Sequence, residues 1–156
     1  MSIAVLVIAA ATVSLAPWST SPSRANIITE RTDHRSAFTL LQIARRFNDD
    51  FQRNVDAPVY DRWDAASRAI ISRRDYLARH RRCPNDPRVP VTTYEVTRSP
   101  TGAWLVHYSI DGQRLTDWWF YVRGRFVFDL ALSNPSAVAL YRLTPAAYAT
   151  STGCAR

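Results

Sequence analysis

The chain has 156 residues, which fits one domain or one domain behind an export segment. Hydrophobic residues make up 47% and aromatics 12%, which excludes a disordered chain. Twenty basic residues, all arginine, stand against 13 acidic ones, for a formal charge of +7. A GC-rich coding sequence supplies arginine in place of lysine without any selection for chemistry. The functional reading is an anion-binding surface, because guanidinium is the better bidentate partner for phosphate and carboxylate. Composition does not choose between the two.

Ile3 to Ala16 form an uncharged apolar run. It is shorter than the roughly 20 residues of a bilayer span and suits the core of a secretory signal. Ser23-Arg24-Ala25 offers a small-x-small cleavage site before Asn26. No basic residue precedes the run, and a buried core helix is the competing reading. Residues 1–25 are read as a signal peptide or membrane anchor, 26–35 as a spacer, and 36–156 as a single domain.

Between Ser36 and Val55 the apolar positions Ala37, Leu40, Leu41, Ala44, Phe47, Phe51 and Val55 form one helical stripe. Arg45, Arg46, Asn48, Asp49, Gln52 and Arg53 make the polar face. A second helix starts with Asp56 as its cap and carries Tyr60, Trp63, Ala66 and Ile70 on its inner face. A third starts at Ser72, where Asp75 completes a capping box and Ile71 and Tyr76 occupy staple positions. It ends at Cys83, since Pro84 prevents continuation.

Cys83 and Cys154 are the only cysteines. An exported chain would pair them, and the chain-entropy model gives such a closure about 4 kcal/mol. In a reducing compartment they would be free thiols. There is no further cysteine and no paired histidine, so neither a metal site nor a cofactor is expected.

From Val91 the period becomes alternating. Strands are expected over Val91–Arg98, Ala103–Ile110, Gln113–Val122 and Arg125–Leu130. Asp111-Gly112 and Arg123-Gly124 are two-residue hairpin loops. Asn134-Pro135 and Thr144-Pro145 each open a short tail helix. The register sets Trp104 opposite Trp119, Val106 opposite Asp117, Tyr108 opposite Leu115 and Tyr121 opposite Phe126. A bulge in the second loop would instead set Asp129 against Asp117, a like-charge pair that costs energy. The fold class is therefore α+β, with N-terminal helices on an antiparallel sheet.

Three helices followed by a meander of long aromatic strands resembles the cone-shaped nuclear transport factor 2-like superfamily. The segment Leu115-Thr116-Asp117-Trp118-Trp119-Phe120-Tyr121-Val122-Arg123-Gly124-Arg125-Phe126 is similar to that fold's paired late strands. The superfamily includes ketosteroid isomerase, scytalone dehydratase, polyketide cyclases and many exported bacterial domains. The resemblance covers roughly residues 36–132. It implies a sheet that curls around the helices and leaves a pocket between them. It carries over no catalytic residue, and fold analogy does not transfer function.

Asp117 is the sharpest candidate for chemistry, a lone carboxylate on an aromatic face. Burial there raises a carboxyl pKa, as a general base requires. Tyr108 and Tyr121 are the candidate donors beside it. Trp104, Trp119 and Phe128 are the candidate ligand-binding surface. The structural alternative is that Asp117 pairs with an arginine or caps buried backbone. Arg79, Arg81 and Arg82 form the densest basic cluster, read either as an anion-binding patch or as ordinary cations at a helix C-terminus. The leading reading is a non-enzymatic, secreted or membrane-anchored domain that binds an envelope protein or a small apolar ligand. A second copy of the chain is a further candidate partner, and nucleic acid is not expected. The alternatives are a small isomerase- or dehydratase-like enzyme using Asp117, and a binder of anionic envelope surfaces.

Overall fold

The computed structural model describes residues 35–154. Ser36 caps helix α1 (Ala37–Gln52), its Oγ accepting from the Thr39 N–H at 3.1 Å. The expected stripe buries Leu40, Ala44 and Phe47. Asn48 and Gln52, assigned to the polar face, are buried as well. Asn48 Nδ2 donates to Thr93 Oγ1 at 2.8 Å, and Gln52 Nε2 donates to the Asp86 carbonyl. These amides join the helix to the chain around β1, so they are buried because they are polar. Val55 falls outside the helix and is 46% exposed, because Asn54 turns the chain at φ +61°.

The expected second helix is two short ones, α2 (Asp56–Asp61) and α3 (Ala65–Ile70). Asp56 lies inside the first turn of α2, and Val55 takes the cap position without a side-chain bond. Between the helices the chain pairs with the last strand. Phe128 N–H donates to the Arg62 carbonyl and Asp64 N–H to the Phe128 carbonyl, both at 2.9 Å. Trp63 and Phe128 thus share a short parallel bridge, which covers part of an open sheet edge. Trp63, Ala66 and Ile70 keep helical spacing across the break, so the period alone hides it. Asp64 then caps α3 through the Ser67 N–H at 2.7 Å.

Helix α4 (Arg73–Arg82) starts as expected, with Ser72 Oγ accepting from the Asp75 N–H and donating to Asp75 Oδ2. Ile71 and Tyr76 are both buried. Four strands follow in antiparallel order: β1 (Val91–Arg98), β2 (Trp104–Ile110), β3 (Gln113–Val122) and β4 (Arg125–Asp129). Asp111 and Arg123 both sit at φ +49°, each followed by a left-handed glycine, the geometry of a two-residue hairpin loop. Trp104, Val106 and Tyr108 face Trp119, Asp117 and Leu115, and Tyr121 faces Phe126, as the alternation requires. Asp129 faces Trp118 and stays away from Asp117. A register shift between Thr93 and Glu95 bends β1, which alternation did not reveal.

Strand β4 stops one residue early because Asp129 is a helix cap, its Oδ1 accepting from the Leu132 N–H at 2.9 Å. Leu130 therefore begins helix α5 (Leu130–Ser133). The tail continues as α6 (Pro135–Tyr141) and α7 (Pro145–Ser151), capped by Asn134 and Thr144. Helix α1 packs on β1 and β2, α4 on α2, and α7 on α4 and α6. The core lies between these helices and the inner sheet residues Trp104, Val106, Trp119, Phe126 and Phe128.

A disulfide joins Cys83, just after α4, to Cys154, just after α7. Beside it Arg79 donates to the carbonyls of Leu140 and Leu143, at 3.2 and 2.8 Å, and lies over the Tyr148 ring. The tail is thus fixed to α4 by a covalent bond and a guanidinium fork. Among the described residues no helix is long and apolar enough to cross a membrane. The apolar run 3–16 and most of the spacer lie outside the described residues.

Candidate functional site

Strand β3 carries Asp117 inward between two apolar neighbours on its face, Leu115 and Trp119. The side chain is 4% exposed. It accepts a hydrogen bond from the Tyr108 hydroxyl at 3.1 Å and forms no ion pair with arginine among the described residues. Tyr108 reaches it because it sits on β2 one diagonal step away, within range for a long side chain. Burial pushes the Asp117 carboxyl up to about 7, and the Tyr108 hydrogen bond offsets only part of that rise. Among the described residues the alternative of an arginine partner is not met. Asp117 is a nearly dry carboxyl with one neutral donor.

Asp117 and Tyr108 line a cavity of about 140 Å³ between the sheet and the helices. Phe47 and Phe51 come from α1, Trp63 from the α2–α3 break and Phe128 from β4. Tyr76 enters from α4 and Tyr141 from α6. Val91, Ile110 and Leu115 are only half-buried and form the apolar rim, with exposed Asn134 beside them. Among the described residues, no arginine or histidine lines the cavity.

The helix side supplies a second set of polar groups. The Tyr76 hydroxyl and the Trp63 indole N–H are buried with no hydrogen-bond partner among the described residues. The Tyr141 hydroxyl is 2.8 Å from His80 Nε2, and His80 Nδ1 is 3.2 Å from Asp56 Oδ1. That last contact is off the line of a good hydrogen bond. Burial pushes His80 down to about 4 and raises the Asp56 carboxyl, the latter opposed by the Arg81 charge. The Tyr76 and Tyr141 hydroxyls are held far above the ordinary phenol range by the same burial. Among the described residues, no three His, Cys, Asp or Glu side chains converge on a metal-sized position.

Of the residues singled out in the sequence, Asp117, Tyr108 and Phe128 meet at this cavity. Tyr121, Trp104 and Trp119 do not line it. Tyr121 shares a face with Asp117, but four residues along a strand is about 13 Å. There it packs edge-on against Phe126 and under Arg35. Trp104 and Trp119 are closed into the core, against Phe126 and Phe47 respectively. Sharing a sheet face does not mean sharing a depth. Tyr76, Trp63, Tyr141, His80 and Asp56 were not anticipated as site residues. A signal for two of them exists, since Tyr76 and His80 are four apart on α4, and their rings meet at a tilt with centroids 4.2 Å apart. Of the basic cluster, Arg79 is bonded to the tail and Arg81 and Arg82 are exposed.

The unpartnered Tyr76 hydroxyl gives a direct test of this geometry. Tyr76→Phe removes a buried donor that gains no protein partner, so ligand-free stability should hold or rise by about 1 kcal/mol. Urea denaturation reads this. A loss of 2 kcal/mol or so would mean that the hydroxyl is already well bonded. The chain matches no known family model, no curated protein and no solved structure.

Proposed function

We propose that the chain is an exported or envelope-facing binding domain of the nuclear transport factor 2-like type, taking a small and largely apolar ligand into the cavity around Asp117. One observation carries the reading. Among the described residues, a cavity walled by seven aromatic rings holds a single buried carboxyl with no cation opposite it. A core closed only for stability gains nothing from that arrangement, because burying an unpaired ionisable group costs free energy. Buried ionisable groups in clefts mark functional sites more often than chance. The Cys83–Cys154 disulfide supports an oxidising compartment. Helices followed by an antiparallel meander that encloses a cavity support the superfamily reading.

A second reading uses the same cavity for acid–base catalysis. It is favoured by the Asp117 carboxyl, held near 7 beside the Tyr108 hydroxyl. That is the range in which a general base works at neutral pH. The two readings are separated by turnover, not by binding.

The test is an NMR titration of the oxidised protein with neutral, benzene-sized probes. A cavity of about 150 Å³ accepts benzene, so this one is of suitable size. The Trp63 indole resonance and the amides around Asp117 are expected to shift together. Ala137→Phe, which narrows the lining from α6, is expected to abolish the shift. Shifts scattered over the surface, or none, would contradict a cavity ligand. Asp117-dependent deuterium exchange beside the carbonyl of a bound ketone would favour the catalytic reading.

A further inference from the structure

The cavity's polar groups are unevenly distributed by type, and this says what the ligand carries. Among the described residues its single carboxyl is Asp117, and no arginine or histidine lines it. An anionic ligand would meet a carboxyl and none of the described cations, which disfavours carboxylates and phosphates as the group seated at an ionised Asp117. The aromatic walls point the same way. Ring faces carry negative partial charge and attract organic cations, most strongly where water is excluded. Phe47, Phe51, Trp63 and Phe128 supply such walls, and Tyr76 and Tyr141 add two more. The Tyr76 hydroxyl and the Trp63 indole N–H have no partner among the described residues, but both atoms are closed off from the open space of the cavity, so they place no demand on what it holds.

We infer that the cavity is built for a small organic cation, an alkylated or quaternary ammonium in chemical class. The inference rests on the proposal that the cavity is a ligand site. The positive group sits among ring faces with Asp117 as its counter-ion. An amino acid would bring a carboxylate that no cation meets among the described residues. Choline has seven non-hydrogen atoms against six in benzene, so it is close to the size that a cavity of about 150 Å³ holds.

The inference sets a pH dependence. The titratable groups facing Asp117 are Tyr108 from β2, Tyr76 from α4 and Tyr141 from α6, with His80 and Asp56 behind Tyr141. The three tyrosines stay protonated at neutral pH, and His80 is already neutral. Asp56 is raised by burial as well, so a variant must separate it from Asp117.

The experiment is calorimetric titration of the oxidised full-length protein with three probes of one shape. These are choline, the neutral alcohol in which carbon replaces its nitrogen, and the carboxylate of the same skeleton. Choline is expected to bind at least about tenfold more tightly than the alcohol, and the carboxylate not at all. Choline carries a charge that does not titrate. Its affinity is expected to rise at least about sevenfold from about pH 5.5 to about pH 8.5, as a carboxyl near 7 ionises, with about 30-fold as the ceiling that the ionised fraction sets. Asp117→Asn is expected to bring choline down to the level of the alcohol and remove the pH dependence. A pH dependence that survives in Asp117→Asn overturns the assignment to Asp117. Equal binding of alcohol and choline by wild type overturns the cation and leaves an apolar cavity site. No binding by any of the three overturns the cavity reading as well.

Discussion

Asp117→Asn is expected to make the protein more stable at pH 8, by on the order of 4 kcal/mol, while leaving it unchanged near pH 4. The sign follows from the direction of the shift. Unfolded, the carboxyl releases its proton near the ordinary value of 3.8, and folded it holds the proton up to about 7. Between those values the native state binds a proton that the unfolded state has lost. Stability therefore falls as pH rises from about 4 to about 7 and stays low above that. Asparagine has the same shape and is neutral throughout, and its carbonyl can accept the Tyr108 hydrogen bond. Urea denaturation of both proteins at about pH 4 and about pH 8 reads the difference. Parallel curves for the two proteins at both pH values would mean that Asp117 is paired or hydrated. A large gain at pH 8 would show a residue kept against the interest of stability, a pattern common at functional sites.

Cys83→Ser is expected to lower stability by about 4 kcal/mol, the chain-entropy value for a loop of this length. The two cysteines are 71 residues apart, so the bond constrains nearly the whole sheet and tail in the unfolded state. Loss of the bond leaves Arg79 and the core residues Tyr141 and Tyr148 to hold the tail. Faster amide exchange is expected in α6 and α7 than in β2 or β3, because the tail depends most on that tether. Tyr141 belongs to the cavity wall, so the variant should also bind cavity ligands more weakly. A variant as stable as the oxidised wild type would contradict a structural disulfide.

The sheet was the most legible part of the chain. Asp111-Gly112 and Arg123-Gly124 fix both loop lengths, and side-chain alternation then dictates that Val106 faces Asp117 and Trp119 faces Phe128. The helices were legible in their starts and less so in their continuity. Ser72, Thr144 and Asn134 cap as their sequences require. The break at Trp63 was not legible, because it is caused by pairing with Phe128, a partner 65 positions away. Asn48 and Gln52 were misplaced for a related reason. Their buried partners, Thr93 and the Asp86 carbonyl, lie on a distant segment.

The candidate site was half legible. A lone carboxylate on an aromatic strand face marks Asp117, and hairpin register brings Tyr108 to it. The helix side of the cavity depends on how α4 and α6 pack across the sheet, which no local pattern encodes. Tyr76 therefore read only as a staple residue. The arginine excess reads differently with the fold in hand. Arg79 braces the tail, Arg73 pairs with Asp61, and among the described residues no arginine lines the cavity. That separation of the described cations from Asp117 is the central physical feature of the site.

The most direct test is the titration of the Asp117 side-chain carboxyl carbon, followed by NMR in the ligand-free, oxidised protein. The account predicts a midpoint near 7, well above the ordinary carboxylate value. A midpoint near 4 would contradict it, since a hydrated or ion-paired Asp117 leaves no poised carboxyl in the cavity.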